Sequence, residues 1–203
     1  MRSKNVFTLS DYMSGIKLFV GLGNPGEKYA ATRHNAGFWW IDQLAAATNS
    51  KLAIDAKFFG AAGKLNPSTD TWLIKPTTFM NASGKAVAAL ANYYKITPKE
   101  ILVIHDELDL PAGSTKMKFG GGHGGHNGLR DIHAALGTPD YWRMRVGIGH
   151  PGSKTEVVNF VLKAPTKDEQ VAIEDNLIDS TKLVDLLLAG EFDSAMLKLH
   201  TKK

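Results

Sequence analysis

Glu100-Ile101-Leu102-Val103-Ile104-His105-Asp106 is a run of four aliphatic residues between polar ends. An unbroken apolar run suits a central strand covered on both faces, because a half-exposed strand would alternate. Such a strand belongs to an α/β architecture, with helices packed on both faces of the sheet. The run delivers Asp106 at its C-terminal end, where open α/β sheets place functional groups. Pro98 bounds it upstream, and Asp109-Leu110-Pro111-Ala112-Gly113 turns the chain beyond it.

Upstream, Ser83–Ile96 carries Val87, Leu90, Ala91 and Tyr94 at helical spacing. Phe58–Leu65 and Thr71–Lys75 read as two strands of a hairpin around the turn cluster Asn66-Pro67-Ser68-Thr69-Asp70. Ile16–Val20 predicts the first strand. Ala36–Ala47 predicts a helix with Phe38, Ile41, Leu44 and Ala45 on one face. Downstream, Ser114–Phe119 and Arg143–Gly149 predict strands, the second with Arg143 and Arg145 on one face. Leu129–Leu136 and Val157–Leu162 predict short helices. Thr166-Lys167-Asp168-Glu169 is a capping-box pattern. It is expected to start one helix carrying Val171, Leu177, Ile178, Leu183, Leu186 and Leu187 to near Gly190.

No repeat or linker divides this order. Residues 15–203 therefore read as a single α/β domain, a mixed twisted β-sheet with helices on both faces. Residues 1–14 lack apolar periodicity and read as a disordered N-terminal extension, with Met13 as an alternative start.

Gly21-Leu22-Gly23-Asn24-Pro25-Gly26 follows the first strand and spells the dinucleotide fingerprint. Pro25 biases Asn24 away from the α region, so the helix that the fingerprint needs cannot open there. No strand ending in an acid follows about 20 residues on. A tight turn that displays Asn24 is the better reading, and a nucleotide-dependent oxidoreductase the disfavoured one.

The chain has 203 residues, 43% hydrophobic and 22% charged, enough to bury a sizeable core. It has no Cys, which excludes disulfides and thiolate chemistry. No apolar run approaches roughly 18 residues, so no membrane span is expected. The first residues lack the apolar core of a secretory signal, which points to the cytoplasm.

Gly120-Gly121-Gly122-His123-Gly124-Gly125-His126-Asn127-Gly128 is bare backbone interrupted by three hydrogen-bonding side chains. A flexible connection does not need His-x-x-His-Asn. A metal site on His123 and His126 lacks Cys or a carboxylate within the run. From Gly113 to Lys154, six basic residues face two acids, whereas Lys163–Asp193 holds three lysines against eight acids. A basic middle beside a bare loop suggests a polyanion lying on one face.

Asn24, His34, Asn81, Asp106, His126 and Asn127 all fall at segment ends. His34 stands just before a helix, where the positive dipole end favours neutral imidazole. G-x-S-x-G is absent, so with no Cys a side-chain nucleophile is not expected. A His–Asp pair suits activation of water, the carboxylate fixing the tautomer and stabilising the imidazolium. Asn amides can position that water and donate to an oxyanion. The residues thus point to hydrolysis of an activated carbonyl, an ester, attached to a polyanion. A non-catalytic RNA-binding module would explain the charge but not His34 with Asp106.

Gly21–Gly26, Thr32-Arg33-His34-Asn35-Ala36-Gly37, Lys75-Pro76-Thr77-Thr78-Phe79-Met80-Asn81, His105-Asp106-Glu107-Leu108-Asp109 and Gly120–Gly128 occur in that order, followed by Arg145–Gly152. Together they resemble the bacterial peptidyl-tRNA hydrolase family from Lys17 to about Leu187. The resemblance implies a monomeric α/β enzyme that cleaves the ester between a peptide and the tRNA 3′ ribose, with no cofactor and no metal. It implies His34 as base, Asp106 as its partner, and Asn24 as the residue distinguishing blocked from free amino groups. It places Tyr29, Phe79, Asn81 and Asn127 at the substrate end, with His126 beside the cleft. Lys118 and Arg145 match a clamp on the tRNA 5′ phosphate, with Lys116 and Lys154 nearby. The extension through Tyr12 is the main departure.

Overall fold

The computed structural model describes residues 14–201. The expected disorder of the N-terminal extension therefore lies, but for Ser14, outside the described residues. Among the described residues seven strands form one sheet: β1 (Leu18–Gly21), β2 (Ala53–Asp55), β3 (Gly60–Lys64), β4 (Trp72–Pro76), β5 (Ile101–Glu107), β6 (Thr115–Phe119) and β7 (Trp142–Gly147). Their spatial order is β2-β3-β4-β1-β5-β7-β6. The central four, β4, β1, β5 and β7, run parallel, and β2, β3 and β6 close the two edges antiparallel. The sheet is mixed, as expected.

The eight α-helices among the described residues are α1 (Glu27–Ala30), α2 (Ala36–Ala47), α3 (Ser83–Tyr94), α4 (Asn127–Leu136), α5 (Val157–Val161), α6 (Lys167–Thr181), α7 (Val184–Leu188) and α8 (Phe192–His200). β1 shows how the two layers arise. Successive side chains leave opposite faces of a strand. Phe19 joins Trp40, Ile41 and Leu44 of α2 and Ile173 and Leu177 of α6. Leu18 and Val20 join Val87 and Leu90 of α3 and Leu129 and Ile132 of α4. β5 is buried on both faces along Ile101–Asp106, which is why its sequence reads apolar without alternation.

Gly37, in the first turn of α2, has no room for a side chain. A Cβ there would overlap backbone atoms of Ile104 in β5 and of Leu22 just past β1. Helix α2 thus lies backbone against backbone on the two central strands.

Two segments differ from the expected pattern. The hairpin's first strand begins at Gly60 rather than Phe58, because Ala56–Phe58 forms a 3-10 turn and Phe59 takes φ +51°. The capping box holds as expected: Thr166 Oγ1 accepts from Glu169 N. The helix it opens does not run to Gly190. It stops at Thr181, and α7 begins at Val184. The break redirects the chain so that Leu187 O accepts from Ile16 N beside β1. Val171 and Ile178, seven residues apart on α6, face solvent instead of the core. The short edge strand β2 carries no strong periodic pattern, whereas α8, absent from the expected elements, has Phe192, Ala195, Met196 and Leu199 at helical spacing and turns them to the core. Among the described residues no helix is long and apolar enough to cross a membrane.

Candidate active site

The C-terminal ends of β1 and β5 hold the site. β5 delivers Asp106, and the turn leaving β1 delivers Asn24. His34 sits in the 3-10 turn Arg33–Asn35 that leads into α2. Asn35 ties these segments together: its Oδ1 accepts from Asn24 N at 2.8 Å, and its Nδ2 donates to Asn24 O at 2.9 Å. Asn24 is anchored rather than merely displayed. It is 8% exposed, and its Oδ1 accepts from Met80 N at 2.8 Å. A backbone N–H can meet only the oxygen of that amide, so Nδ2 is the end left for the cavity.

Asp106 is buried, and two imidazoles share its carboxylate. His34 Nδ1 lies 3.0 Å from both oxygens. His126 Nε2 lies 2.9 Å from Oδ1. The hydrogen-bond partners fix both tautomers. His126 is the N-cap of α4, its Nδ1 accepting from Gly128 N and Leu129 N, so its proton sits on Nε2 and donates to Asp106. An ionised carboxylate only accepts, so His34 carries its proton on Nδ1 and keeps the Nε2 lone pair. A third imidazole, His105, donates Nδ1–H to Asp106 O at 2.7 Å, and its buried Nε2 has no partner.

The electrostatics follow from this packing. Burial pulls the His34 imidazole down, but the Asp106 charge and hydrogen bond outweigh it and set its pKa above the usual value. The expected helix-terminus effect is therefore overridden by the carboxylate next to it. Burial raises the Asp106 carboxyl, yet His34 and His126 hold it well below the usual carboxylate range. His105 goes the other way: burial, then His126, push it down to about 3, so it stays neutral.

A cavity of about 640 Å³ opens over this cluster. Asn24, His34, Phe79, Asn81, Asp106, His126 and Asn127 line it. So do Lys118, Arg145 and Lys154, the last at the start of the wall formed with α5. Tyr29 and Lys116 do not line it. Tyr29 packs edge-on against Phe79 with ring centroids 6.3 Å apart. Lys116 is exposed on β6, paired across the strands with Arg145. Arg145 Nε donates to Glu107 Oε2 at 2.8 Å. Burial, followed by Arg143 and Arg145, pushes the Lys118 ammonium down against the opposing pull of Glu107 and Asp109.

His34, Asp106 and His126 place ligand-capable atoms within 4.8 Å of one another. The hydrogen bonds do not suit a metal. His126 Nε2 and His34 Nδ1 both carry protons directed at Asp106, so neither has a lone pair to give.

Sequence reasoning missed three residues of this site. His105 was hidden because it sits within the strand run. Asn35 has a hydrogen-bonding role that no spacing signals. Arg143 shares its strand face with Arg145, as the period of two required, but it is buried. Its guanidinium donates to the carbonyls of Gly121 and Gly122.

Residues 18–203 match the family model described as peptidyl-tRNA hydrolase. The chain is 64% identical over 190 residues to the peptidyl-tRNA hydrolase of Methylobacillus flagellatus, covering 94% of this chain and 99% of the relative. It is 58% identical to that of Variovorax paradoxus over 93% of this chain and 90% of the relative. The crystal structure of peptidyl-tRNA hydrolase from Acinetobacter baumannii superposes with a TM-score of 0.91 at 46% identity, covering 94% of this chain and 97% of that one.

Proposed function

The chain belongs to the peptidyl-tRNA hydrolase family and hydrolyses the ester of peptidyl-tRNA, and from that premise we propose how its residues divide the work. His34 is the general base. The observation that carries this is the contact of His34 Nδ1 with both Asp106 oxygens at 3.0 Å, which holds the Nδ1 proton there and leaves the Nε2 lone pair at the cavity. A water at Nε2 gives up a proton as its oxygen attacks the ester carbonyl. The imidazolium that forms is stabilised by the buried Asp106 charge. It then returns the proton to the departing ribose oxygen, so one water is consumed and an acid and an alcohol leave. Asn24 Nδ2, with the amides of Asn81 and Asn127, supplies neutral donors for the oxyanion.

The charge pattern supports selectivity for blocked amino groups. The one carboxylate among the reacting residues is already occupied by two imidazoles. A free α-ammonium would find no partner there and would oppose formation of the imidazolium. An N-acylated amine carries no such charge. Asn24 is positioned to read it.

Lys118 and Arg145, with Lys154 and Lys116 further out, receive the tRNA 5′ phosphate. Neutralising phosphates releases counterions, so binding is salt-dependent. Residues 15–203 act as one unit, a monomer working in the cytoplasm without metal or cofactor. The test is incubation with N-acetyl-aminoacyl-tRNA and with the matching free aminoacyl-tRNA. Release from the first alone is expected. Equal release from both would overturn the selectivity argument, and dependence on an added metal would overturn the proposed base.

A further inference from the structure

The segment 120–125 has almost no side chains with which to hold its shape, and a buried cation holds it instead. Arg143, on β7, is 1% exposed. Its Nη1 donates to Gly122 O at 2.6 Å, and its Nη2 donates to Gly121 O and to His133 Nε2. Pro139 O accepts more weakly at 3.4 Å. These acceptors are all neutral, and none is a carboxylate.

Each carbonyl drawn toward Arg143 turns the amide of the same peptide unit the other way, because the units are planar and trans. The N–H groups of Gly122 and His123 therefore point away from the guanidinium. Neither donates to another group of the protein among the described residues. The loop is uncovered at Gly122, which is exposed and where a Cβ would meet nothing within 4 Å. Lys118 stands at the same end, its Nζ 3.3 Å from where a Cβ on Gly121 would be. Two outward amides beside an ammonium, over a guanidinium whose hydrogen-bond acceptors are all neutral, favour an anion over a neutral peptide.

We propose that Arg143 is a positioning residue, holding the glycine loop so that the N–H groups of Gly122 and His123 receive a phosphate of the tRNA 3′ strand. The inference rests on the proposed peptidyl-tRNA hydrolysis at His34. With the ester at His34 and the 5′ phosphate at Lys118 and Arg145, the loop lines the same cavity between them, where the 3′-terminal internucleotide phosphates pass. Arg143 itself makes no contact with the phosphate.

The test compares His123→Pro, which removes one N–H, with His123→Ala, which removes only the side chain. The substrates are N-acetyl-aminoacyl-tRNA and the same N-acetyl-aminoacyl ester on adenosine, which has no phosphate. Relative to His123→Ala, His123→Pro is expected to raise KM for the tRNA on the order of tenfold, as for one hydrogen bond to a charged acceptor. KM for the adenosine ester is expected to stay level. Arg143→Lys, whose single ammonium cannot bridge two carbonyls and His133, should show the same selective rise with an unchanged salt slope. This second variant carries the test if the proline variant melts early. Equal losses on both substrates would reduce Arg143 to packing. A smaller salt slope in Arg143→Lys would make it a phosphate ligand. Either result overturns the proposal. Failure of the unmodified enzyme to cleave N-acetyl-aminoacyl-tRNA would instead overturn the function it rests on.

Discussion

Asp106→Asn keeps the shape of the site and removes one charge, and the surrounding hydrogen bonds dictate the outcome. His126 cannot change tautomer, because its Nδ1 is committed to Gly128 N and Leu129 N. Its Nε2–H still needs an acceptor, so the carboxamide oxygen takes the place of Oδ1. The NH2 group then takes the Oδ2 position 3.0 Å from His34 Nδ1, which favours an accepting Nδ1 with the proton moved to Nε2. The lone pair that took the proton from water is gone. The loss is the full contribution of the base, about 10²–10⁴-fold in kcat, or roughly 3–5 kcal/mol of transition-state stabilisation. KM should barely move, since no group that touches tRNA has changed. Adding His34→Ala should cost little more, because the two residues act as one unit. Nitrogen-15 shifts of the His34 ring report the tautomer directly, and single-turnover hydrolysis reports the rate. In the unmodified enzyme the acid limb of kcat/KM should lie above pH 6.5, following the raised His34 pKa, and in the variant, with burial acting alone, it should move below. A fall of less than tenfold in kcat, or a His34 ring still protonated at Nδ1, would refute the reasoning.

Replacing Lys118 and Arg145 together by Ala should weaken tRNA binding and reduce the salt slope by about 1–2, while an N-acetyl-aminoacyl adenosine ester is cleaved as before. Equal losses on both substrates would count against a phosphate clamp. Glu107→Gln frees Arg145 from its 2.8 Å ion pair and should tighten tRNA at low salt, and titration by fluorescence anisotropy checks it. His105 makes stability fall in acid. Its folded pKa of about 3 lies below the unfolded value of 6.5, so the unfolded chain takes up the proton first as pH drops through that window. His34 has the opposite sign, its contribution complete below pH 6.5 and lost as pH rises through its raised pKa. Urea unfolding at pH 7 and pH 4 should show the acid decline, and His105→Asn should flatten it.

The central strands and the chemistry were legible because each rests on a local pattern. Ile101–Ile104 reads as a doubly covered strand because both of its faces are buried. Thr166 and Glu169 announce a helix start because the reciprocal capping bonds need only three residues of separation. His34 and Asp106 stand out because each ends or precedes a strong element. Other features depend on what lies across the fold. Nothing in residues 167–190 marks the break at Thr181, which answers to the need of Ile16 for a partner at Leu187. The period of two puts Arg143 and Arg145 on one face. Which guanidinium is buried depends on the glycine loop folding over the first. Tyr29 and Lys116 rest on family likeness, and neither lines the cavity: Tyr29 packs from α1 against Phe79, and Lys116 lies two residues along β6 from Lys118.

The spacing between His34 and Asp106 is set by atoms that are not there. Helix α2 can settle on β1 and β5 only because Gly37 offers hydrogen where every other residue offers carbon. His34 rides three residues ahead of that contact and Asp106 two residues beyond Ile104, so any lift of the helix is transmitted to the hydrogen bond between them. A methyl at position 37 would leave every reacting group chemically intact and still separate the pair. A screen of random substitutions scored by turnover alone would therefore rank Gly37 with the catalytic residues, although it never meets the substrate.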